Sequence, residues 1–549
     1  MKSPIALLDS LMMKDFMRLN PGVKGLKRDF ETLKHRVKHE GLGFLTQALP
    51  SLDEALLRGL AEGKFTCPVG FKKIRGEAIP VFLQGMLREI FDSKTGTLKE
   101  SVDDGILRDV HTFLRLFKKT QLTADGEELL HQKAVNEFYQ CDETAKSVVI
   151  ADRQDHLIDH VGRYILETLY HKDLEDERIY RHGPGAVQES YSSNQKWSAL
   201  HHELTSQAHV PEWFGYTNFR MAQYFESLTA FEEQCCDRTR TDVHNRTSVP
   251  RFGSHGAWKS TSTTQGDPEL QVGVRPAGAL SQECSGRHGL RRLDCSPKSE
   301  SPDCEEHLQP RLRGASARLI SVLKNSTSRR TITIEPVLRQ YLQQGLNSIL
   351  RESITECRVL SNCLALTDQR KNQILALEGS RTGDWATIDL KSASDLLSLT
   401  LVKSVFRHHS SFLECLMDSR SPYVYTDGSN DPDVPLGKFA GMGNATTFPV
   451  QSICFAVVCI AAILDNWGTK PNYRNVERAS RLVRVYGDDI IVHTSHAHQV
   501  VRWLHDVGLK VNVKKSFLEG NFRESCGVEA FRGVEITPLY LRHWPHNID

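Results

Sequence analysis

Apolar and polar positions along the first 180 residues follow a helical rhythm. Phe113, Leu114, Leu116 and Phe117, and again Leu157, Val161, Ile165 and Leu169, recur at three- and four-residue spacings. A looser Gly- and Pro-containing stretch, 64–80, lies between helical segments. The cluster His182-Gly183-Pro184-Gly185-Ala186-Val187 then breaks the rhythm and demands a specific loop. From about 236 to 313 the pattern disappears into Ser, Thr, Gly, Arg, His and Pro, which predicts a disordered or irregular insertion. Alternation returns at Ala317–Val322 as a strand. Pro336 stands at a helix start, with Leu338, Tyr341, Leu342, Leu346, Ile349 and Leu350 on one face of the helix. From 385 onward strands and helices alternate, which favours a mixed α/β layer. The longest apolar run, Ile453–Leu464, is 12 residues and reads as a buried helix, short of the roughly 20 needed to cross a bilayer.

Composition narrows the function classes. The chain has 549 residues, with 69 Lys+Arg against 68 Asp+Glu and a net charge of +1, so it is neither a polycation nor an acidic tail. With 39% hydrophobic residues it can build a core, and its length calls for several subdomains. The 13 cysteines follow no repeating framework, which predicts a reduced, intracellular protein. Any basic surface must be local.

The candidate chemistry sits in two short strands. In Leu482–Val492, β-branched runs flank Gly487-Asp488-Asp489, the pattern of a β-hairpin with carboxylates at its tip. Gly-Asp is also ordinary turn chemistry. A second strand-like segment, Trp385–Leu390, carries Asp389 near its end. If the strands are neighbours, Asp389, Asp488 and Asp489 converge. Such carboxylates repel one another unless cations intervene, and hard ions such as Mg²⁺ accept their oxygens. Three acids around two ions is an arrangement for phosphoryl transfer.

These segments resemble motifs A (Asp389, Asp395) and C (Tyr486–Asp489) of viral RNA-dependent RNA polymerases. More narrowly, the chain is similar to the replicase catalytic subunit of positive-strand RNA bacteriophages, the levivirus family. His182–Val187, Ile334-Glu335-Pro336, Met442-Gly443-Asn444, Phe522–Gly527 and Val534–Tyr540 carry the same likeness, which is loose over 40–235 and close over 316–542.

The resemblance implies an α+β right-hand polymerase with an antiparallel palm sheet and a helix-rich N-terminal region. Residues 1–235 would be N-terminal structure and part of the fingers, 236–313 the insertion, 314–380 the rest of the fingers, 381–535 the palm, and 536–549 the start of a short or incomplete thumb. It implies RNA-templated RNA synthesis from ribonucleoside triphosphates. Asp389, Asp488 and Asp489 would hold two Mg²⁺ ions, with Mn²⁺ as a substitute. Lys324, Arg329 and Arg330 would meet the triphosphate; from 318 to 351 about six bases face one acid. Asp395 and Asn444 would contact the ribose, and Lys515 would be a general acid for the leaving pyrophosphate.

Alternatives accompany several residues. Asp395, beside Ser394, could cap a helix Leu396–Arg407. Asn444 could belong to an ordinary Gly-Asn turn, and Lys514 could replace Lys515. Cys526 reads as packing, without a His-bearing partner motif to make it a nucleophile. The chain departs from the family at Ala445, where Gly is expected, at Leu323, where Pro is expected, and in the insertion. The implied partners are RNA template and product, host translation elongation factors and a ribosomal protein, in the cytoplasm of an infected bacterium and without a membrane. Two competing readings are a reverse transcriptase with the same palm chemistry and a non-enzymatic RNA-binding module organised by zinc on Cys284, His288, Cys295, Cys304 and His307.

Overall fold

The computed structural model describes residues 14–120, 127–167, 169, 180–192, 195–205, 316–325, 327–427 and 434–542. The expected insertion and its candidate zinc ligands lie outside the described residues. The described residues fall within one compact unit made of 1–219 and 309–549.

Helical periodicity over the first 180 residues produces helices, including Leu26–Glu40, Leu49–Glu62, Asp104–Arg115, Glu127–Lys146 and Asp152–Ile165. The start of Asp104–Arg115 is fixed by Asp103, whose Oδ1 accepts the Ile106 N–H at 2.9 Å. Pro336 is the residue just before the helix Val337–Glu356.

Three sheets follow. Strands β1 (Ser316–Asn325), β2 (Ser328–Ile334), β4 (Tyr423–Thr426) and β5 (Val434–Pro435) form one sheet in the order β2-β1-β4-β5. Strands β3 (Trp385–Lys391), β6 (Val483–Tyr486), β7 (Asp489–His493) and β8 (Lys510–Val511) form an antiparallel sheet in the order β6-β7-β3-β8. Strands β9 (Phe522–Ser525), β10 (Val528–Phe531) and β11 (Val534–Glu535) form a small antiparallel sheet. Helices beside mostly antiparallel sheets make this the α+β fold that the motifs imply; the β6-β7-β3-β8 sheet is the one expected as the palm.

The palm sheet is two-faced because strand side chains alternate. Ala386 and Ile388 on β3, with their register partners Val492 and Ile490 on β7, are buried in a core shared with helices Thr447–Asn466 and Thr494–Asp506. Asp389 and its partner Asp489 point to the other face, one pleat away. Thr447–Asn466 is long and apolar enough to cross a membrane, but 94% of its apolar window is buried among the other helices and the palm, as the apolar run predicted.

Two cores are shared between segments distant in sequence. Residues Cys141–Leu169 share the palm's core, whereas Leu26–Phe117 pack with Phe517, Phe522, Phe531 and Ile536. Residues 536–542 run back along the N-terminal helices, where the Leu541 N–H donates to Leu116 O at 2.8 Å.

Candidate active site

The β6–β7 hairpin pairs Tyr486 with Asp489, so Gly487 and Asp488 form a two-residue turn. Gly487 has φ +63 and Asp488 does not share the left-handed conformation, which is the turn with glycine first. Only glycine fits: a Cβ at 487 would lie 2.7 Å from Phe448 Cε2. The Gly487 N–H donates to Ser452 Oγ at 3.2 Å, which fastens the turn to the buried helix.

Asp389 and Asp489 are register partners on β3 and β7. Directly opposed residues hold their Cβ atoms roughly 5 Å apart on the same face. Asp488, on the adjoining turn, is exposed. Burial pushes the Asp489 carboxyl up to about 7, reinforced by the charges of Asp488 and Asp389. Burial likewise raises Asp389 to about 6, with Asp488 and Glu524 adding to the rise and Lys515 opposing it. Asp389 and Asp489 are thus neighbours across the strands, with Asp488 next to Asp489 in the chain, and their charges oppose one another's ionisation.

Their present contacts are with protein. Asp389 Oδ2 accepts Asn512 Nδ2 at 2.7 Å, and Asp489 Oδ2 accepts the Cys526 N–H at 3.2 Å. Among the described residues no trio of His, Cys, Asp or Glu side chains is drawn together closely enough to hold an ion. The donor set nonetheless suits a hard cation: clustered carboxylate oxygens whose mutual repulsion only positive charge relieves.

The basic residues divide. Lys515 Nζ lies 3.2 Å from Glu524 Oε1. Burial alone would lower its pKa, but Glu524 and Asp389 hold it raised. Its neighbour Lys514 is exposed and reaches Glu54 at 3.1 Å, so Lys515 is the lysine at the site. Lys324 is within electrostatic reach of Asp389, Asp488, Lys515 and Arg330; burial and the two nearby cations lower its pKa. Arg330 pairs with Val322 across β1 and β2, and Lys324 follows at an irregularity in the ladder between Leu323 and Asn325. Arg329 points the other way, because neighbouring strand residues alternate. It donates to Ser321 Oγ at 2.7 Å and Ser321 O at 2.8 Å, and lies 3.9 Å from Glu127. The structure therefore does not bring Arg329 to the carboxylates.

Asp395 is buried and accepts Lys438 Nζ at 3.0 Å; burial raises its pKa while Lys438 opposes the rise. It is not a helix cap. The next helix is Leu399–Val405 and its cap is Ser398, whose Oγ accepts the Leu401 N–H at 3.1 Å. Asn444 Oδ1 accepts from the Thr446 N–H at 2.8 Å and the Thr446 hydroxyl at 2.7 Å, while its buried Nδ2 has no protein partner. The loop around it lies flush on β2: a Cβ at Gly443, where φ is +129, would come 1.9 Å from Thr333 O. Ala445 is accommodated beside Gln343 Oε1, which accepts its N–H at 3.3 Å.

Sequence reasoning missed the supports. Cys526 (φ +49) and Gly527 (φ +80) form the turn between β9 and β10, both left-handed, and this aims the Cys526 N–H at Asp489. The Cys526 thiol itself, raised to about 12 by burial and by Asp489, is no nucleophile. Arg523 is fully buried and donates to the carbonyls of Trp385, Glu519, Gly520 and Phe522, tying β9 to β3. The His182–Val187 loop is held by the buried Lys196, whose Nζ donates to Gly183 O at 2.7 Å and Gly185 O at 2.5 Å. The one available signal was Phe522–Gly527 itself, a motif whose chemistry its sequence does not declare.

A family model described as RNA replicase, beta-chain, matches residues 246–548. The RNA-directed RNA polymerase subunit beta of Qbeta virus (strain MX1) is 32% identical over 299 residues, covering 53% of this chain and 44% of the relative. That of Escherichia virus Qbeta is 38% identical over 229 residues, covering 41% and 35%. The RNA-directed RNA polymerase beta chain of Escherichia phage MS2 is 36% identical over 227 residues, covering 41% and 37%. The chain thus spans less than half the length of these relatives. Among solved structures, the RNA-dependent RNA polymerase of a human picorbirnavirus matches with 13% identity and a TM-score of 0.32, covering 41% of this chain and 45% of the other. At that distance the likeness carries no functional weight.

Proposed function

Because the chain belongs to the RNA replicase beta-chain family, we propose that it synthesises RNA on an RNA template to replicate a positive-strand phage genome. The observation that carries this reading is the register pairing of Asp389 with Asp489, with Asp488 on the adjoining turn and Lys515 beside them. In the proposed reaction an RNA 3′-hydroxyl attacks the α-phosphate of a ribonucleoside triphosphate and pyrophosphate leaves.

Asp389, Asp488 and Asp489 would hold two Mg²⁺ ions, with Mn²⁺ able to substitute. Bound there, the ions would favour ionisation of the attacking hydroxyl and neutralise the triphosphate. Lys324, within electrostatic reach of Asp389 and Asp488, and Arg330 near it receive the phosphates. Asn444 Nδ2, buried and without a protein partner, offers a donor to the ribose, and Asp395, now held by Lys438, would help select it. Lys515 donates a proton to the departing pyrophosphate. The remaining partners in the proposal are host elongation factors and a ribosomal protein, inside the infected bacterium.

The test is primer-independent polymerisation on phage RNA, with and without host extract, comparing ribonucleotides and deoxyribonucleotides. Ribonucleotide incorporation is expected; a preference for deoxyribonucleotides would overturn the reading in favour of reverse transcription. Asp488→Asn should abolish synthesis while RNA binding persists. Near-normal synthesis by that variant would remove the metal role.

A further inference from the structure

Glu524 poses a problem. It is an acid placed among acids: its charge adds to the rise in pKa of both Asp389 and Asp489. In a site that must gather anionic phosphates, a fourth carboxylate is costly unless it performs a task. Among the described residues its one ion pair is with Lys515, 3.2 Å away, and its side chain is 16% exposed against 44% for the lysine.

The backbone under Glu524 is unusually fixed. Among the described residues Arg523 has no carboxylate partner; its Nε and Nη1 donate to the carbonyls of Trp385, Glu519, Gly520 and Phe522, while its buried Nη2 has no partner. Glu524 N–H itself donates to Thr387 Oγ1 on β3 at 3.4 Å. A rigid strand therefore presents the Glu524 carboxylate to a lysine on a long, flexible stem. Lys515 has two anions within reach, Glu524 and Asp389. Without Glu524, the ammonium would settle against Asp389 and occupy the oxygens that a metal ion needs.

We infer that Glu524 is a positioning residue that holds Lys515 off Asp389, keeping Asp389 open to a divalent ion and the ammonium aimed at the leaving group. The inference rests on the reading of Asp389 as a metal ligand and Lys515 as a proton donor. It adds that the Phe522–Gly527 motif separates those two roles. Glu524 holds the lysine, and one residue pair further on the Cys526 N–H orients Asp489.

The experiment uses the full chain in complex with its RNA and host factors for kinetics, and the purified full chain for Mn²⁺ binding followed by electron paramagnetic resonance. Glu524→Gln should bind Mn²⁺ about tenfold more weakly and lower kcat about tenfold or more, with KM for nucleotides little changed. Glu524→Asp, which keeps the charge, should recover most of both. The decisive arm is Glu524→Gln combined with Lys515→Gln: with no lysine to collapse onto Asp389, Mn²⁺ affinity should return to the wild-type value although kcat stays low. Weak Mn²⁺ binding in the double variant would overturn the inference, as would Glu524→Gln binding Mn²⁺ like wild type. A wild-type chain that binds no Mn²⁺, or a Lys515→Gln variant with full kcat, would instead overturn the underlying assignment of ligand or proton donor.

Discussion

Replacing His111 by Gln should reveal how the N-terminal helices are locked to the palm side of the molecule. His111 is fully buried between two carboxylates. Its Nδ1 donates to Asp53 at 2.5 Å and its Nε2 donates to Glu529 at 2.7 Å. Arg115 completes the ring, bonded to Asp53 and, at 2.7 Å, to Glu529, and donating to Tyr540 Oη at 3.1 Å; Lys118 stands nearby. Burial alone would lower the imidazole pKa, but the two carboxylates raise it from 6.5 to about 9. A pKa raised in the folded state stabilises fully below the unfolded value, declines between 6.5 and about 9, and is lost above. At about 1.4 kcal/mol per pH decade that interval corresponds to about 3 kcal/mol. At about 2 °C per kcal/mol for a chain of this size, Tm should fall by roughly 6 °C. Thermal unfolding of wild type and His111→Gln from pH 6 to 10 checks this. The two curves should be well separated at pH 6 and converge above pH 9. A separation that stays constant with pH, or no separation at pH 6, would refute the charge argument and leave only packing.

Two further predictions test the division of labour in the site. Lys324→Ala and Arg330→Ala should each raise KM for nucleotides about tenfold with little change in Tm, whereas Arg329→Ala should lower Tm and leave KM alone, because its guanidinium is spent on Ser321; steady-state kinetics beside melting curves separate the two. Cys526→Ala should keep synthesis within about twofold of wild type because the residue contributes a backbone N–H, while Cys526→Pro, lacking that N–H and unable to adopt φ +49, should be inactive in the same assay.

The parts of the site legible in the sequence are those set by neighbouring residues. Two β-branched runs around Gly487-Asp488 demand a hairpin wherever they occur, and Trp385–Leu390 has the alternation of a strand, so Asp389, Asp488 and Asp489 could be singled out without a structure. Errors arose where several local signals compete. Ser394-Asp395 and Ser398 can each start a helix; Ser398 does, because Asp395 is drawn to Lys438, 43 residues along the chain. Arg329 and Arg330 read as one basic patch, yet strand alternation sends them to opposite faces. The roles of Asn512, Glu524 and Cys526 could not be read from the sequence, although Phe522–Gly527 stood out as a motif. Their roles exist only because β9 and the segment after β8 fold against β3 and β7, 123 residues from Asp389 in the case of Asn512 and 37 from Asp489 in that of Cys526.

The balanced composition is explained at the same level. Asp53 and Glu529 are both buried, yet His111 and Arg115 overcome the cost of burial and hold both below their ordinary pKa values. Asp389 and Asp489 are also removed from water, but beside each other and Asp488, and they are pushed up. Burial is common to both pairs, so it cannot be what distinguishes them. The difference is the partner: the first pair is ion-paired with His111 and Arg115, whereas near the second Lys515 is paired with Glu524 and Lys324 acts only at a distance. In the proposed function the missing charge arrives from outside as divalent ions, and the mutual repulsion at Asp389 and Asp489, more than the Gly-Asp-Asp spelling, is what those ions would relieve.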